Sequence, residues 1–141
     1  MLNIESFVDA CSDSGVTFYS GVPDSLLSGV NHYMCNNLVS SNHVVAVNEG
    51  AAIGLGIGHH LATGGVPLVY MQNSGLGNAI NPLLSLASTD VYSIPMVLLI
   101  GWRGEPDRPD EPQHMTQGAV TIPLLEAMNI STYILSDIDT E

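Results

Sequence analysis

The sequence predicts an α/β protein, a three-layer α/β/α sandwich with a mostly parallel sheet in the middle. Helix-like amphipathic segments alternate with short apolar runs along the whole chain. The apolar runs are continuous, which is typical of strands that are buried on both faces. With 45% hydrophobic and 11% charged residues, the chain can form a packed core. We therefore expect one domain over residues 1–141.

The first half of the chain begins this alternation. An amphipathic pattern predicts a helix at 3–14, and an apolar strand follows at 16–20. Asp24 or Ser25 can then cap a helix that runs to residue 37, because short polar side chains accept hydrogen bonds from the first N–H groups of a helix. The apolar run at 43–47 predicts the second strand.

The second half continues the pattern with more proline and glycine. The segment 101–113 is crowded with proline, glycine and charge, which predicts a loop. The sequence ends with SDIDTE directly after the last predicted strand, so we expect a closing helix or a longer polypeptide beyond it. The elements expected here are a helix at 49–62, a strand at 67–71, a helix at 77–87, a strand at 95–100, a helix at 118–128 and a strand at 131–135.

Charge and hydropathy exclude several classes of function. The chain has 14 acidic residues against 2 basic ones, a formal charge of −12, so it cannot bind nucleic acid or an anionic membrane through a basic patch. The longest apolar run, 94–100, is much shorter than the roughly 18 residues of a membrane span. The N-terminus lacks the basic and apolar regions of a signal peptide. We expect a cytoplasmic protein.

Polar residues follow each predicted strand. In open parallel sheets, ligands bind outside the carboxyl ends of the strands, so these junctions are the candidate site and should share one rim. The junctions are GVPDSLL at 21–27, NEGAA at 48–52, QNSGLGNAINP at 72–82 and GWRGEPDRPDEPQH at 101–114.

Glu49 is the most informative residue of this rim. It comes directly off an apolar strand, and the residues after it are small and apolar. One explanation is a carboxylate at the positive end of a helix dipole, worth about 0.3 to 1 kcal/mol. The other is a half-buried carboxylate that needs a partner. With so few cations in the chain, that partner would be a ligand.

The helix after Glu49 carries a stripe without side-chain bulk. Gly50, Gly54, Gly58 and Ala62 recur every four residues and share one face. Each interior glycine costs about 1 kcal/mol relative to alanine, so close packing should compensate. Packing on the chain's own sheet and approach of a helix from another subunit both remain open.

Two further groups could bind a ligand. Asn73, Ser74 and Gly75 place hydrogen-bond donors at the beginning of a helix, although an ordinary capped turn would look the same. Arg103 follows Trp102 at the end of the most apolar strand, so it is a candidate for anion binding. A solvated loop is the alternative for Arg103.

Taken together, four segments closely resemble the N-terminal half of phosphonopyruvate decarboxylases, within the thiamine-diphosphate-dependent 2-oxo-acid decarboxylases. The resemblance covers about residues 15–125, and the sulfopyruvate decarboxylase α subunit is a close relative. It implies that residues 1–141 are a pyrimidine-binding (PYR) domain. The segments are GVPDSLL, NEGAAIGLGIGHHLATG, PLVYMQNSGLGNAINPLLSLAS and SIPMVLLIGWRGEPDRPDEPQHMTQG.

The resemblance also implies roles for individual residues. The glutamate that matches Glu49 hydrogen-bonds N1′ of the cofactor's aminopyrimidine, and Asp24 matches an acidic residue that takes part in proton transfers. Gln113 and His114 match polar residues that face the substrate. The resulting assignments are Glu49, Asp24 and His114 as catalytic; Glu49, Asn73, Ser74 and Gly75 as cofactor-binding; and Asp24, Ser25, Arg103, Gln113 and His114 as substrate-binding, with the phosphonate contact of Arg103 inferred from its position alone.

The implied reaction converts 3-phosphonopyruvate to phosphonoacetaldehyde and CO₂. The GDG…N motif that holds Mg²⁺ and the diphosphate in this family is absent from the sequence. We therefore expect no metal ligand here, a partner subunit with a diphosphate-binding (PP) domain that carries the motif, and PYR–PYR self-association. The alternatives are a sulfopyruvate decarboxylase α subunit and a noncatalytic module that docks a PP domain.

Overall fold

Strands and helices alternate along residues 3–135, the part of the chain that the computed structural model describes. The strands are β1 (Val16–Gly21), β2 (His43–Val45), β3 (Val66–Gln72) and β4 (Val97–Gly101). The helices are α1 (Ile4–Asp13), α2 (Ser28–Asn37), α3 (Glu49–Thr63), α4 (Leu76–Pro82) and α5 (Pro112–Ala127). A 3₁₀ turn at Asn73–Gly75 leads into α4, and a π-type turn at Leu83–Ala87 extends it.

The strands form one parallel sheet in the order β2-β1-β3-β4. Gly21 pairs with Tyr70, and Gln72 pairs with Gly101, so β1, β3 and β4 end near the same level. The segments that follow these three strands therefore emerge at one rim of the sheet.

A hydrophobic core covers each face of the sheet. On one face α1 and α2 pack on β1 and β3, and on the other α3, α4 and α5 pack on β3 and β4. The buried residues of the first core include Val8, Met34, Leu68 and Tyr70, and those of the second include Ile53, Val69, Met71, Leu76 and Leu125. The alternation of β3 side chains between two cores explains its continuous apolar sequence. The predicted three-layer α/β/α architecture is confirmed.

The helices are of modest length. The longest in the described part of the chain is α5, with 16 residues. Among residues 3–135 no helix combines the length and the apolar character needed to cross a membrane.

Two helices begin elsewhere than the sequence predicts. Helix α2 begins at Ser28 without a side-chain cap, because Asp24 Oδ2 instead accepts a hydrogen bond from Leu26 N at 3.0 Å in a local turn. Helix α5 begins at Pro112 and not near residue 118. Proline suits the first turn of a helix, since its missing N–H would have no helical partner there. The loop after β4 is correspondingly shorter.

The strand predicted at 131–135 is wrong. These residues form no regular structure, and the side chain of Tyr133 is 90% exposed. A strand needs a backbone partner, and β4 pairs only with β3 among the described residues. The final acidic residues, 136–141, lie outside the described residues.

Candidate active site at the strand ends

Polar side chains from the predicted junctions meet in two connected groups at the rim. The first lies around Glu49 at the beginning of α3, and the second lies around Asp24 and Arg103 after β1 and β4. The segment Asn73–Gly75 after β3 joins them, because Gly75 contacts Glu49 and Asn73 bonds to Arg103. Most of the predicted site residues are thus brought together.

Helix α3 fixes the position of Glu49. Asn48 caps the helix by accepting a hydrogen bond from Ala51 N at 2.8 Å, and Glu49 is the first helical residue. Its side chain is half-buried, as expected, and its Oε2 accepts a hydrogen bond from Asn78 Nδ2 at 2.8 Å. No described residue hydrogen-bonds Oε1. One carboxylate oxygen is therefore positioned by the protein and the other remains an acceptor.

Gly75 makes room for this carboxylate. A Cβ added at residue 75 would lie 2.6 Å from Cδ of Glu49, far inside van der Waals contact. Gly75 is buried and has an ordinary negative φ of −73°, so the requirement for glycine comes from space and not from backbone conformation. The Glu49 side chain therefore packs directly on the backbone of the Asn73–Gly75 turn.

Asp24 is buried beside the end of β4. It is only 7% exposed, and its Oδ1 has no hydrogen-bond partner among the described residues. The carboxylate packs on Gly101, where an added Cβ would lie 3.1 Å from Cγ of Asp24. An unsatisfied buried oxygen is costly, which is typical of a group kept for function.

Asn73 holds the rim together through its side chain. Its Nδ2 donates to the Arg103 carbonyl oxygen at 2.8 Å and to Thr121 Oγ1 at 2.9 Å, while its Oδ1 accepts from Arg103 N. The amide is buried and engaged within the protein. In this segment Ser74 has the exposed hydroxyl, which accepts a hydrogen bond from Gln72 Nε2.

Arg103 is clamped by an acidic residue of its own loop. Its Nε and Nη2 donate to Asp110 Oδ2 and Oδ1 at 2.8 and 2.5 Å, and its Nη1 donates to Ser25 Oγ at 3.2 Å. The hydrogen bonds from Arg103, followed by those from the backbone N–H groups of Gly104 and Glu111, hold the pKa of Asp110 well below its usual range. The same pair raises the pKa of Arg103.

Gln113 and His114 lie in the first turn of α5. Gln113 is exposed and His114 is half-buried, and neither side chain hydrogen-bonds another described residue. Their turn is packed against the loop, because Gly104, with a φ of +67°, lies against the carbonyl of His114. Trp102 Nε1 also donates to the Gly118 carbonyl oxygen at 2.9 Å.

The glycine stripe of α3 divides into packed and open positions. A Cβ added at Gly50 would lie 2.9 Å from the carbonyl oxygen of Asn78, so this position needs glycine within the chain. Gly54 and Gly58 are exposed, and an added Cβ would meet nothing within 4 Å. Packing on the chain's own residues therefore explains Gly50 but not these two.

Two residues of the site could not be predicted from the sequence. Asn78 lies in the quoted segment after β3, but nothing in the sequence pairs it with Glu49, 29 positions away. Asp110 is one of several carboxylates in the loop, which also contains Glu105, Asp107 and Glu111. Only the fold selects Asp110 as the partner of Arg103.

Residues 3–135 contain no group of three or more histidine, cysteine, aspartate or glutamate side chains arranged to hold a metal ion.

A family model described as "Thiamine pyrophosphate enzyme, N-terminal TPP binding domain" matches residues 4–125. The chain belongs to this family. The resemblance seen in the sequence is thereby confirmed, since thiamine pyrophosphate is the same compound as thiamine diphosphate. This thiamine pyrophosphate enzyme domain is 34% identical over its whole length to the phosphonopyruvate decarboxylase of Streptomyces viridochromogenes. It spans 34% of that relative, about a third of its length.

Two further similarities agree with this family. The sulfopyruvate decarboxylase subunit alpha of Methanococcus maripaludis is 36% identical, over 89% of this domain and 72% of the relative. A solved structure of a thiamine diphosphate-dependent 4-hydroxybenzoylformate decarboxylase from Rhodococcus jostii RHA1 superimposes with a TM-score of 0.55 at 26% identity. That match covers 71% of this domain and 18% of the solved chain.

Proposed function

We propose that residues 1–141 form the PYR domain of a thiamine-diphosphate-dependent decarboxylase that converts 3-phosphonopyruvate to phosphonoacetaldehyde and CO₂. The observation that carries the proposal is the Glu49 carboxylate, half-buried at the rim with one oxygen held by Asn78 and the other without a hydrogen bond from the described residues. The similarity to a phosphonopyruvate decarboxylase, which extends over the whole length of this chain, supports the choice of substrate.

The residues around Glu49 fit an aminopyrimidine. Oε1 can accept a hydrogen bond from a protonated ring nitrogen, and such a charge-assisted bond is stronger than one between neutral groups. Gly75 supplies the space that a side chain would fill, and with Asn73 and Ser74 it forms the segment assigned to the cofactor. When bound, thiamine diphosphate supplies the electron sink for decarboxylation, which no protein side chain offers.

Asp24 and His114 are assigned to proton transfers. The Oδ1 atom of Asp24 is buried and makes no hydrogen bond with the described residues, and we assign this carboxylate to taking and returning a proton. The imidazole of His114 is half-buried at the first turn of α5, and we assign it to proton transfer with the substrate. Asp24 follows β1 and His114 follows the loop after β4, so both belong to segments that leave the strand ends.

Ser25, Arg103 and Gln113 are assigned to substrate binding beside these two groups. Arg103 would contact the phosphonate, since guanidinium groups match the geometry of tetrahedral oxyanions. Arg103 donates a hydrogen bond to Ser25 Oγ, so the Ser25 hydroxyl lies beside the guanidinium. The exposed amide of Gln113 can donate to the substrate's carboxylate.

The proposal requires a partner for the other half of the cofactor. A PP-domain subunit with a GDG…N motif would hold Mg²⁺ and the diphosphate, in line with relatives that are named as alpha subunits. The open positions Gly54 and Gly58 of α3 would allow a second copy to approach in PYR–PYR self-association. We place the complex in the cytoplasm.

Replacing Glu49 by glutamine in the complete enzyme tests the proposal. Turnover of 3-phosphonopyruvate should fall by roughly 100-fold or more, because the variant cannot form the charge-assisted bond. Assembly with the partner should persist in size-exclusion chromatography. Glu126→Gln, an exposed substitution near the end of α5, is the control and should keep full activity. Full activity of Glu49→Gln would contradict the proposal.

The similarity to sulfopyruvate decarboxylase subunit alpha favours a second candidate, the same site acting on sulfopyruvate. The ratio of kcat/KM for the two oxo acids in the complete enzyme distinguishes them. A noncatalytic module that docks a PP domain is the third candidate. Its mark would be a complex with the partner in which thiamine diphosphate does not contact Glu49.

A further inference from the structure

The loop between β4 and α5 presents its arginine in a fixed orientation. Arg103 and Asp110 form a two-bond pair along the Nε and Nη2 edge of the guanidinium. Their side chains are 22% and 15% exposed, so solvent competes little with the pair. This geometry differs from an exposed ion pair, in which the side chains stay mobile.

The ion pair and the bond to Ser25 leave two N–H groups of the Arg103 guanidinium for a ligand. A guanidinium has five N–H groups. Asp110 takes one on Nε and one on Nη2, and Ser25 takes one on Nη1. One N–H on Nη1 and one on Nη2 make no hydrogen bond with the described residues. These two donors can hold two oxygens of a tetrahedral anion.

Asp110 is itself fixed from the backbone. Its Oδ2 accepts from Gly104 N at 2.7 Å, and its Oδ1 accepts from Glu111 N at 2.8 Å. With the two bonds from Arg103, each carboxylate oxygen accepts two hydrogen bonds. A carboxylate held at four points cannot rotate without losing several bonds, so it determines the orientation of Arg103.

We propose that Asp110 is a positioning residue for anion recognition, which holds Arg103 so that its two remaining donors face the phosphonate or sulfonate of the substrate beside Ser25. The inference rests on the proposed function for the identity of the substrate. Asp110 need not touch the substrate, because Arg103 carries its effect on the anion, while the bonds from Gly104 N and Glu111 N hold Asp110 in the loop.

The test uses the complete enzyme with Asp110→Asn, which keeps the shape but removes the charge. We expect KM for 3-phosphonopyruvate to rise roughly tenfold with little change in kcat, the usual scale for a lost charged hydrogen bond. Calorimetric titration with 3-phosphonopropionate, an unreactive compound with both anionic groups, should show a matching loss of affinity. Binding of propionate, which lacks the phosphonate, should be equally weak in both enzymes.

The controls separate positioning from structural damage. Glu105→Gln removes the other carboxylate of this loop that pairs with an arginine, Arg108 at 2.9 Å, and should change neither KM nor the affinity. Asp110→Glu should restore part of the affinity lost in Asp110→Asn. In the double variant with Arg103→Ala, the Asp110→Asn change should have no further effect, because its route of action is gone.

Several outcomes would overturn the inference. Wild-type enzyme that fails to bind 3-phosphonopropionate, an equal loss in Glu105→Gln, or additive effects in the double variant would each do so. If Asp110→Asn does not fold, Ser25→Ala and Arg103→Ala with the same titration decide, and unchanged affinity in both contradicts the inference. If no 2-oxo acid is decarboxylated, the proposed function fails, while the titration still decides the role of Asp110.

Discussion

Glu49 keeps its place at the rim because residue 75 has no side chain. Asn78 holds one carboxylate oxygen, and Gly75 leaves the space on the other side. The carboxylate is therefore positioned by contacts from the segment after β3 as well as by its own helix. A substitution at Gly75 should therefore displace the Glu49 carboxylate while leaving residue 49 a glutamate.

Gly75→Ala should impair the complete enzyme through this contact. The new Cβ would lie 2.6 Å from Cδ of Glu49 and force the carboxylate away, so kcat/KM should fall by about tenfold or more. Steady-state kinetics measures the effect. Gly77→Ala is the matched control, because an added Cβ there meets nothing within 4 Å. Equal activity in the two variants would show that the Glu49 position does not depend on Gly75.

At the residue scale, the sequence predicts the location of a side chain when its own strand or helix determines that location. Glu49 follows an apolar strand and begins a helix, so its place at the rim can be predicted from the sequence. Asn78 and Asp110 could not, since their partners are set by how the segments after β3 and β4 pack. The hydrogen bonds from the Asn73 amide to Arg103 and Thr121 could not be predicted from the sequence for the same reason.

At the element scale, the loop between β4 and α5 gives the fold an acid-sensitive contribution. The pKa of Asp110 is lower in the folded than in the unfolded chain, chiefly through its hydrogen bonds from Arg103. The pair therefore stabilises the fold above the ordinary pKa of 3.8. This contribution is lost as the pH falls through the folded-state value.

The difference in free energy of unfolding between wild type and Asp110→Asn should accordingly depend on pH. It should be largest near neutral pH and shrink as the pH falls below about 4, where the unfolded carboxyl is protonated. Urea unfolding at a series of pH values measures it. Arg103→Ala should show the same trend. A difference that stays constant down to about pH 2 would contradict this origin of the stability.

Helix α3 allows a test within a single element. In dilute solution, where no second copy covers this face, Gly58→Ala should stabilise the chain by up to about 1 kcal/mol, because alanine favours helix and the added methyl meets nothing within 4 Å. Gly56→Ala should destabilise it, since its Cβ would lie 3.1 Å from Pro67. Thermal unfolding distinguishes the two. Destabilisation by Gly58→Ala would indicate that a second copy packs on this face.

Element types were easier to predict than element ends. The parallel sheet followed from continuous apolar runs, and both helix-covered faces followed from the alternation of elements. The sequence predicts the beginning of α5 too late, because proline and charge indicate a loop, although proline also suits a first helical turn. The apolar run at 131–135 has the composition of a strand, but composition cannot supply a backbone partner.

At the scale of the whole molecule, the charge of −12 governs association. The proposed PP partner would supply the cations for the diphosphate, so its docking surface should be less acidic than this chain. The association rate of the two subunits should fall as salt is raised from about 50 to 500 mM, since the Debye length shrinks. Stopped-flow mixing measures the rate. A rate indifferent to ionic strength would contradict this electrostatic account.

The open side of β4 has a practical consequence for handling the protein. Among the described residues β4 pairs on one side only, its Val97 is 40% exposed, and Tyr133, Ile134 and Leu135 further along the chain are 56 to 90% exposed. Unpaired strand edges act as templates for strand addition between molecules, and exposed apolar side chains elsewhere on the surface favour association as well. Concentrated solutions of this chain alone should therefore become turbid on storage, and co-expression with a partner that covers this edge should extend their useful life.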